Sequence, residues 1–261
     1  LLPLIEKIFR IATSMTLLDF SDANQPLLKK LAMEAPGTFS HSLLVGSIAE
    51  TAAEAIGRNG LLCRVGAYYH DIGKINKPTY FAENEIGLTS RHKELKPAMS
   101  QLIIVGHVKD GIEMAKEYGL PAVLRQFIDT HHGTTLIEYF YNEAKKQQDE
   151  KQSELSESEF RYAGPKPRTK EAAIVMLADA VESSLRSMTD LTPTRIEAVV
   201  HNMAMKRLQD GQFDECDLSL RELSQIEASM SKTLAAHYHG RVAYPAPPDA
   251  PQEESADNNS V

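Results

Sequence analysis

Proline and glycine cut this chain into helix-length segments, and that punctuation limits the fold more than any other feature. Pro3, Pro26, Pro97, Pro121 and Pro193 each head an apolar-periodic segment. Proline suits the first turn of a helix because its missing N–H has no intrahelical acceptor to lose and its φ is already helical. Gly119, Gly133, Gly211 and Gly240 each follow such a segment, where a residue free to take positive φ closes the last turn. Ser219 and Glu222 have the spacing of a reciprocal N-terminal cap. Alternating runs rich in Val, Ile or Thr are few, so little sheet is expected. The expectation is an all-α bundle of roughly eight to ten helices.

Composition bounds what such a bundle can be. With 261 residues, 42% hydrophobic and 25% charged, the chain has the balance of an ordinary globular protein with a substantial core. A net charge of −8 argues against a long nucleic acid as partner. A small phosphorylated substrate stays open, because a bound metal brings its own positive charge. Cys63 and Cys216 are far apart and read as free thiols. No apolar run approaches the ~18 residues of a membrane span, and no signal peptide is evident. The chain starts at Leu1, not at methionine, which suggests a piece of something longer.

Two segments stand apart. Residues 142–170 are charged and Ser/Gln-rich, ending in "YAGPKPRTK", and read as an exposed insertion. Residues 245–261, "PAPPDAPQEESADNNSV", have too little apolar content to bury a core and read as a disordered tail. The domain proper is expected over residues 1–244.

The polar residues on the apolar stripes carry the chemistry. His41 is in register with Leu44, Val45, Ile48 and Ala52, which puts it on the buried face of a helix. His107 follows Ile103 and Ile104, and precedes Gly111 and Met114, at the same helical offsets. His131 follows Leu124, Phe127 and Ile128, with His132 beside it and Gly133 ending the helix. Asp179 shares a stripe with Ala172, Val175 and Met176. In "AYYHDIGKINKP", His70 and Asp71 close another apolar segment. Any one of these alone is more often a core histidine on a carbonyl, or a helix acid paired with a base.

Together they are harder to explain singly. Each buried polar group without a partner costs about 1–3 kcal/mol, and an unpaired charge more. A metal centre satisfies all seven at once. Imidazole and carboxylate without thiolate favour a catalytic transition-metal site, with manganese, iron, zinc, cobalt or nickel as candidates. Seven ligands exceed one ion's share and fit two ions if a carboxylate bridges, and Asp71 is the natural bridge. Paired ions hold a phosphoryl group between them and turn a shared water into the nucleophile. Lys74, just past Gly73, is placed to reach a substrate phosphate or the leaving oxygen, although a lysine after a helix end is commonly only solvated.

The ordered set resembles the HD-domain metal-dependent phosphohydrolases. The stretches "EAPGTFSHSLLV", "RVGAYYHDIGKINKPTYFAENE", "LIIVGHVKDG", "FIDTHHGTTLIEYFY" and "FRYAGPKPRTKEAAIVMLADAVESSLRS" resemble the cytosolic domain of bacterial seven-transmembrane HD phosphodiesterases, which hydrolyse cyclic di-AMP to linear 5′-pApA. The resemblance implies that His41, His70, Asp71 and Asp179 hold one ion, and that Asp71, His107, His131 and His132 hold the other. It implies iron or manganese, a hydroxide between the ions as nucleophile, Asp71 and Lys74 as catalytic residues, and Lys74 with Thr134 as substrate contacts. It also implies a membrane-embedded parent with a sensor region, this domain on the cytoplasmic face, and residues 1–25 as a juxtamembrane linker helix. His92, His201, His237 and His239 match no ligand position. Ser90-Arg91 and Ala163 depart from the family's usual residues, away from every expected ligand.

The alternatives are an HD hydrolase of cyclic di-GMP or of a nucleotide monoester, a nucleotide sensor without turnover, and a purely structural helical domain. No GYP sequence follows "HHGTTLIEYFY", which argues against the cyclic di-GMP branch. The sensor would be favoured by missing ligands, and none of the seven is missing.

Overall fold

Most of the periodic segments become helices in the computed structural model, which describes residues 12–85, 90–148 and 156–239. The helices are α1 (Ser14–Ser21), α2 (Pro26–Glu34), α3 (Pro36–Ala55) and α4 (Gly60–Tyr69), then α5 (Pro97–Glu117), α6 (Ala122–Thr130) and α7 (Glu138–Gln148), and finally α8 (Lys170–Arg186), α9 (Pro193–Gln209) and α10 (Leu220–His239). Short 3-10 turns cover Ile72–Asn76, Pro78–Tyr80, Ala82–Asn84, Arg91–Glu94 and Glu157–Phe160. Among the described residues there is no strand, only an isolated bridge between Leu136 and Arg161. The fold is all-α, as the periodicity predicts.

Pro26, Pro97 and Pro193 begin α2, α5 and α9, while Pro121 is the N-cap of α6. Pro36 also opens a helix, α3. The Ser219–Glu222 cap is reciprocal: the Glu222 amide donates to Ser219 Oγ at 3.2 Å and the Ser219 amide donates to Glu222 Oε2 at 2.9 Å. Pro3, Gly240, residues 1–11 of the expected linker helix and the whole expected tail lie outside the described residues.

The core forms two apolar clusters. One joins α3, α8, α9 and α10 through residues such as Val45, Ile48, Met176, Val181, Val200 and Met230. The other joins α1, α2, α4 and α6 through Leu17, Leu28, Leu31, Tyr69 and Ile128. Two helices belong to both. On α4, Cys63 and Ala67 face the first cluster, while Val65 and Tyr69 face the second. On α6, Phe127 faces the first, while Leu124 and Ile128 face the second. Helix α8 is buried on every side over Ala172–Asp179, as a helix that is apolar all round from Ala172 to Ala178 must be.

The junction of the clusters is therefore where α4 and α6 end, and each ends in a polar pair: His70–Asp71 after α4, His131–His132 after α6. A close backbone approach fixes the first pair. A Cβ on Gly73 would collide with the His107 carbonyl oxygen, so only glycine lets the turn after Asp71 lie flat on α5. The later part of the 142–170 segment is packed, not exposed: Phe160 is 2% exposed, and Arg161 pairs at 2.9 Å with Asp210, the C-cap of α9. Aromatic and arginine side chains within the charged stretch account for that.

Candidate metal centre

All seven residues converge from five places in the chain: His41 from α3, His70 and Asp71 after α4, His107 from α5, His131 and His132 after α6, and Asp179 from α8. Their donor atoms form two groups that share Asp71. In the group of His41, His70, Asp71 and Asp179, and in that of Asp71, His107, His131 and His132, the atoms all lie within 4.8 Å of one another. Six of the seven are buried and His132 is half-buried.

The ring orientations follow from how each imidazole is anchored. His70 Nδ1 donates to the Ala67 carbonyl at 2.6 Å and His131 Nδ1 to that of Ile128 at 2.9 Å. Both sit where a helix ends and its last carbonyls lack N–H partners. His107 Nδ1 donates to the Ile104 carbonyl, and His41 Nδ1 to Glu182 Oε2. With Nδ1 carrying the proton, Nε2 carries the lone pair. Those Nε2 atoms point inward, onto one another and onto carboxylates. His107 Nε2 and His131 Nε2 are 3.2 Å apart, and lie 3.3 and 3.4 Å from Asp71 Oδ1. His41 Nε2 is 3.1 Å from Asp179 Oδ1.

Lone pairs facing lone pairs repel unless a cation or proton stands between them. Two buried atoms at the centre, His70 Nε2 and Asp71 Oδ1, have no hydrogen bond among the described residues. This is the pattern of a preformed cation site, and the all-nitrogen-and-oxygen donor set fits divalent metal ions. Asp71, with Oδ1 toward one group and Oδ2 toward the other, has the placement of a shared ligand.

Electrostatics agree with that geometry. Burial works against the charged form of His70, yet the Asp71 carboxylate raises its pKa to about 10, so that a proton on Nε2 stands where a bound cation would. Burial would also raise the pKa of Asp71, but Lys74 and His70 hold it well below the usual carboxylate range. Burial is likewise overruled at Asp179, held low by His41 and His70. This half of the centre attracts positive charge. In the other half, burial lowers the pKa of His131, and burial with His131 and His107 nearby holds His132 well below the imidazole range. Those rings are neutral and free to donate electron pairs.

Lys74 Nζ sits 2.7 Å from Asp71 Oδ2 and 2.7 Å from Glu83 Oε1. Burial opposes its charge, and the two carboxylates overrule that and keep it an ammonium. Thr134 is engaged elsewhere: its amide donates to Gln212 Oε1 at 2.9 Å, and its hydroxyl accepts from Gln212 Nε2 at 3.0 Å. His92 Nε2 donates to the Tyr80 carbonyl at 2.8 Å, and His201 pairs with Glu227 at 2.9 Å. Neither belongs to the two groups, nor does the exposed His237.

Three neighbours of the centre escaped the sequence reading. Glu182 lies one turn past Asp179 on the same helix face, so its spacing was a usable signal. Tyr162 stacks on His132 with ring centroids 4.2 Å apart, beside a cavity of about 360 Å³ lined by His132, Tyr162, Val105, Val108 and Ile112. Glu83 comes from a 3-10 turn and has no periodicity to give it away.

Comparison with known proteins places this geometry. The family model described as "HD domain" matches residues 38–184. A protein of Bacillus subtilis (strain 168) named "Cyclic-di-AMP phosphodiesterase PgpH" is 46% identical over 245 residues, 94% of this chain and 34% of that protein. Its namesake in Listeria monocytogenes serotype 1/2a (strain 10403S) is 43% identical over 244 residues, 94% of this chain and 33% of that protein. The chain thus spans about a third of the length of these curated relatives. The crystal structure of the L. monocytogenes PgpH HD domain superposes with a TM-score of 0.78 at 44% identity, covering 83% of this chain and 100% of that one. The same domain in complex with cyclic-di-AMP gives a TM-score of 0.80 at 43% identity and the same coverage.

Proposed function

We propose, given that this chain belongs to the HD domain family, that it is a metal-dependent phosphodiesterase hydrolysing cyclic di-AMP to linear 5′-pApA. The observation that carries this reading is the pair of donor groups overlapping at Asp71. The choice of substrate is supported by relatives at 43–46% identity named for cyclic di-AMP hydrolysis and by a structural neighbour bound to cyclic-di-AMP.

His41, His70, Asp71 and Asp179 would hold one divalent ion, and Asp71, His107, His131 and His132 the other. Iron or manganese suits a set of imidazole and carboxylate donors without thiolate. When bound, such a pair polarises a phosphoryl oxygen and lowers the pKa of water to near neutrality. The chain's own residues do the rest. The Nδ1 anchors hold the imidazoles in one tautomer. The Lys74 ammonium, steadied by Glu83, donates a hydrogen bond toward a phosphate oxygen or the leaving 3′ oxygen. In the hydrolysis, water's oxygen joins phosphorus and the bond from phosphorus to the 3′ oxygen breaks, leaving the phosphate on the 5′ side. Thr134 joins as a substrate contact only when its hydroxyl releases Gln212.

The chain is read as the cytoplasmic domain of a longer, membrane-embedded protein with a sensor region. No helix among the described residues is long and apolar enough to cross a membrane. The test is product identification with manganese or iron(II) from cyclic di-AMP, cyclic di-GMP and a nucleotide monoester. The expected result is 5′-pApA from cyclic di-AMP at the highest rate. Preferred cleavage of either rival substrate overturns the assignment, and tight nucleotide binding without product favours a sensor.

A further inference from the structure

Four imidazoles of the centre are anchored through Nδ1, and one anchor differs in kind. His70, His107 and His131 donate to main-chain carbonyls of Ala67, Ile104 and Ile128, each three residues back. Such an acceptor comes with the helix and no side-chain substitution removes it. His41 donates instead to a side chain, Glu182 Oε2, which reaches it from α8. We infer that Glu182 is a positioning residue, whose carboxylate turns His41 Nε2 toward Asp71 and Asp179, so that retention of the ion held there depends on it. The inference rests on the metal-centre reading above.

Three observations support it. A carboxylate only accepts, so the shared proton sits on Nδ1 and the lone pair of His41 is on Nε2, which is 3.1 Å from Asp179 Oδ1 and 3.7 Å from Asp71 Oδ2. Glu182 is 4% exposed, and a carboxylate so buried needs a partner. Asp179 and Glu182 stand one turn apart on the same rigid helix, so α8 supplies both a ligand and the group that aims another ligand beside it.

The charge of Glu182 is balanced without disturbing that aim. Arg186, the next turn along, lies 3.8 Å from Glu182 Oε2 and 3.8 Å from Glu83 Oε2. Glu83 holds Lys74, and Lys74 holds Asp71. Charges therefore alternate from Glu182 through Arg186, Glu83 and Lys74 to Asp71, so that His41, through its partner Glu182, is linked to another residue of the same group around the outside of the centre. A carboxylate that orients a ligating histidine in this way typically changes metal affinity by about 10–100-fold. A carboxylate that merely satisfied a core histidine would affect stability and would not single out one ion.

The test is a manganese titration by calorimetry, without substrate, of the chain and of Glu182→Ala, Glu182→Met and Glu182→Gln. The unaltered chain should take up two ions. The alanine and methionine variants should bind one of them about 10–100-fold more weakly and keep the other unchanged. Glutamine, whose amide oxygen can accept the same hydrogen bond, should recover most of the loss. Methionine fills the glutamate's volume, so the test survives if the alanine variant does not fold. Unchanged binding of both ions, equal weakening of both, or a glutamine variant no better than methionine each overturns the inference. An unaltered chain that takes up no manganese would instead remove the metal centre itself.

Discussion

The group of His41, His70, Asp71 and Asp179 contains two carboxylates and two imidazoles, whereas the group of Asp71, His107, His131 and His132 contains one carboxylate and three imidazoles. The first is negative enough to raise the pKa of His70 to about 10, against the burial that opposes its charge. In the second, burial holds His131 and His132 neutral. Their supports differ too. In the second group His107 and His131 are tied to backbone carbonyls within α5 and at the end of α6; in the first, His70 is tied to one as well, but His41 leans on the side chain of Glu182. The two donor groups thus make one half richer in carboxylate, which would draw in a cation by charge, and one half richer in imidazole, which would offer neutral lone pairs.

The largest effect should come from the residue the halves share. Asp71→Ala should lower turnover by well over about 100-fold, beyond what loss of an outer partner costs, and should reduce metal content as measured by elemental analysis. Near-normal turnover in a folded variant would dissolve the idea of a shared ligand. Removing one ligand from each half separates them. His131→Ala and His70→Ala should each drop metal content from two ions toward one. Manganese remaining in the His131 variant should resist a chelator longer, because carboxylate oxygen suits manganese better than imidazole does. The opposite order would reverse the assignment of character to the two halves.

A smaller effect concerns how the halves meet. Gly73→Ala drives a Cβ into the His107 carbonyl oxygen, and overpacking of this kind costs about 1–3 kcal/mol. Urea denaturation should show that loss, together with reduced turnover as Asp71 shifts relative to α5. Unchanged stability would mean the contact is slack. Least of all, Glu113→Ala should leave stability within about 0.5 kcal/mol, since its pair with Lys109 is exposed and 4.0 Å long.

The fold was legible because local signals agreed with each other: prolines opened α2, α5 and α9, and a Ser–Glu cap opened α10. The seven polar residues were legible because helical periodicity put His41, His107 and Asp179 on stripes that had to be buried, and burial brings such groups together. What surrounds them was less legible for a physical reason. Glu83 lies in a 3-10 turn whose path is set by contacts, not by periodicity. Tyr162 sits in a charged segment whose average polarity conceals an inward-facing strip. The commitment of Thr134 to Gln212 is a contact between residues 78 positions apart, and nothing local announces it. Glu182 was within reach, three residues from Asp179 on a helix otherwise full of apolar side chains.

Turnover should require both halves of the centre together. The direct measurement is turnover of cyclic di-AMP by metal-stripped protein reloaded with zero to two equivalents of manganese. Formation of 5′-pApA should be absent without metal and should climb steeply only as the second equivalent binds. Full turnover by the metal-free chain, or none from a folded chain carrying two ions, would contradict it.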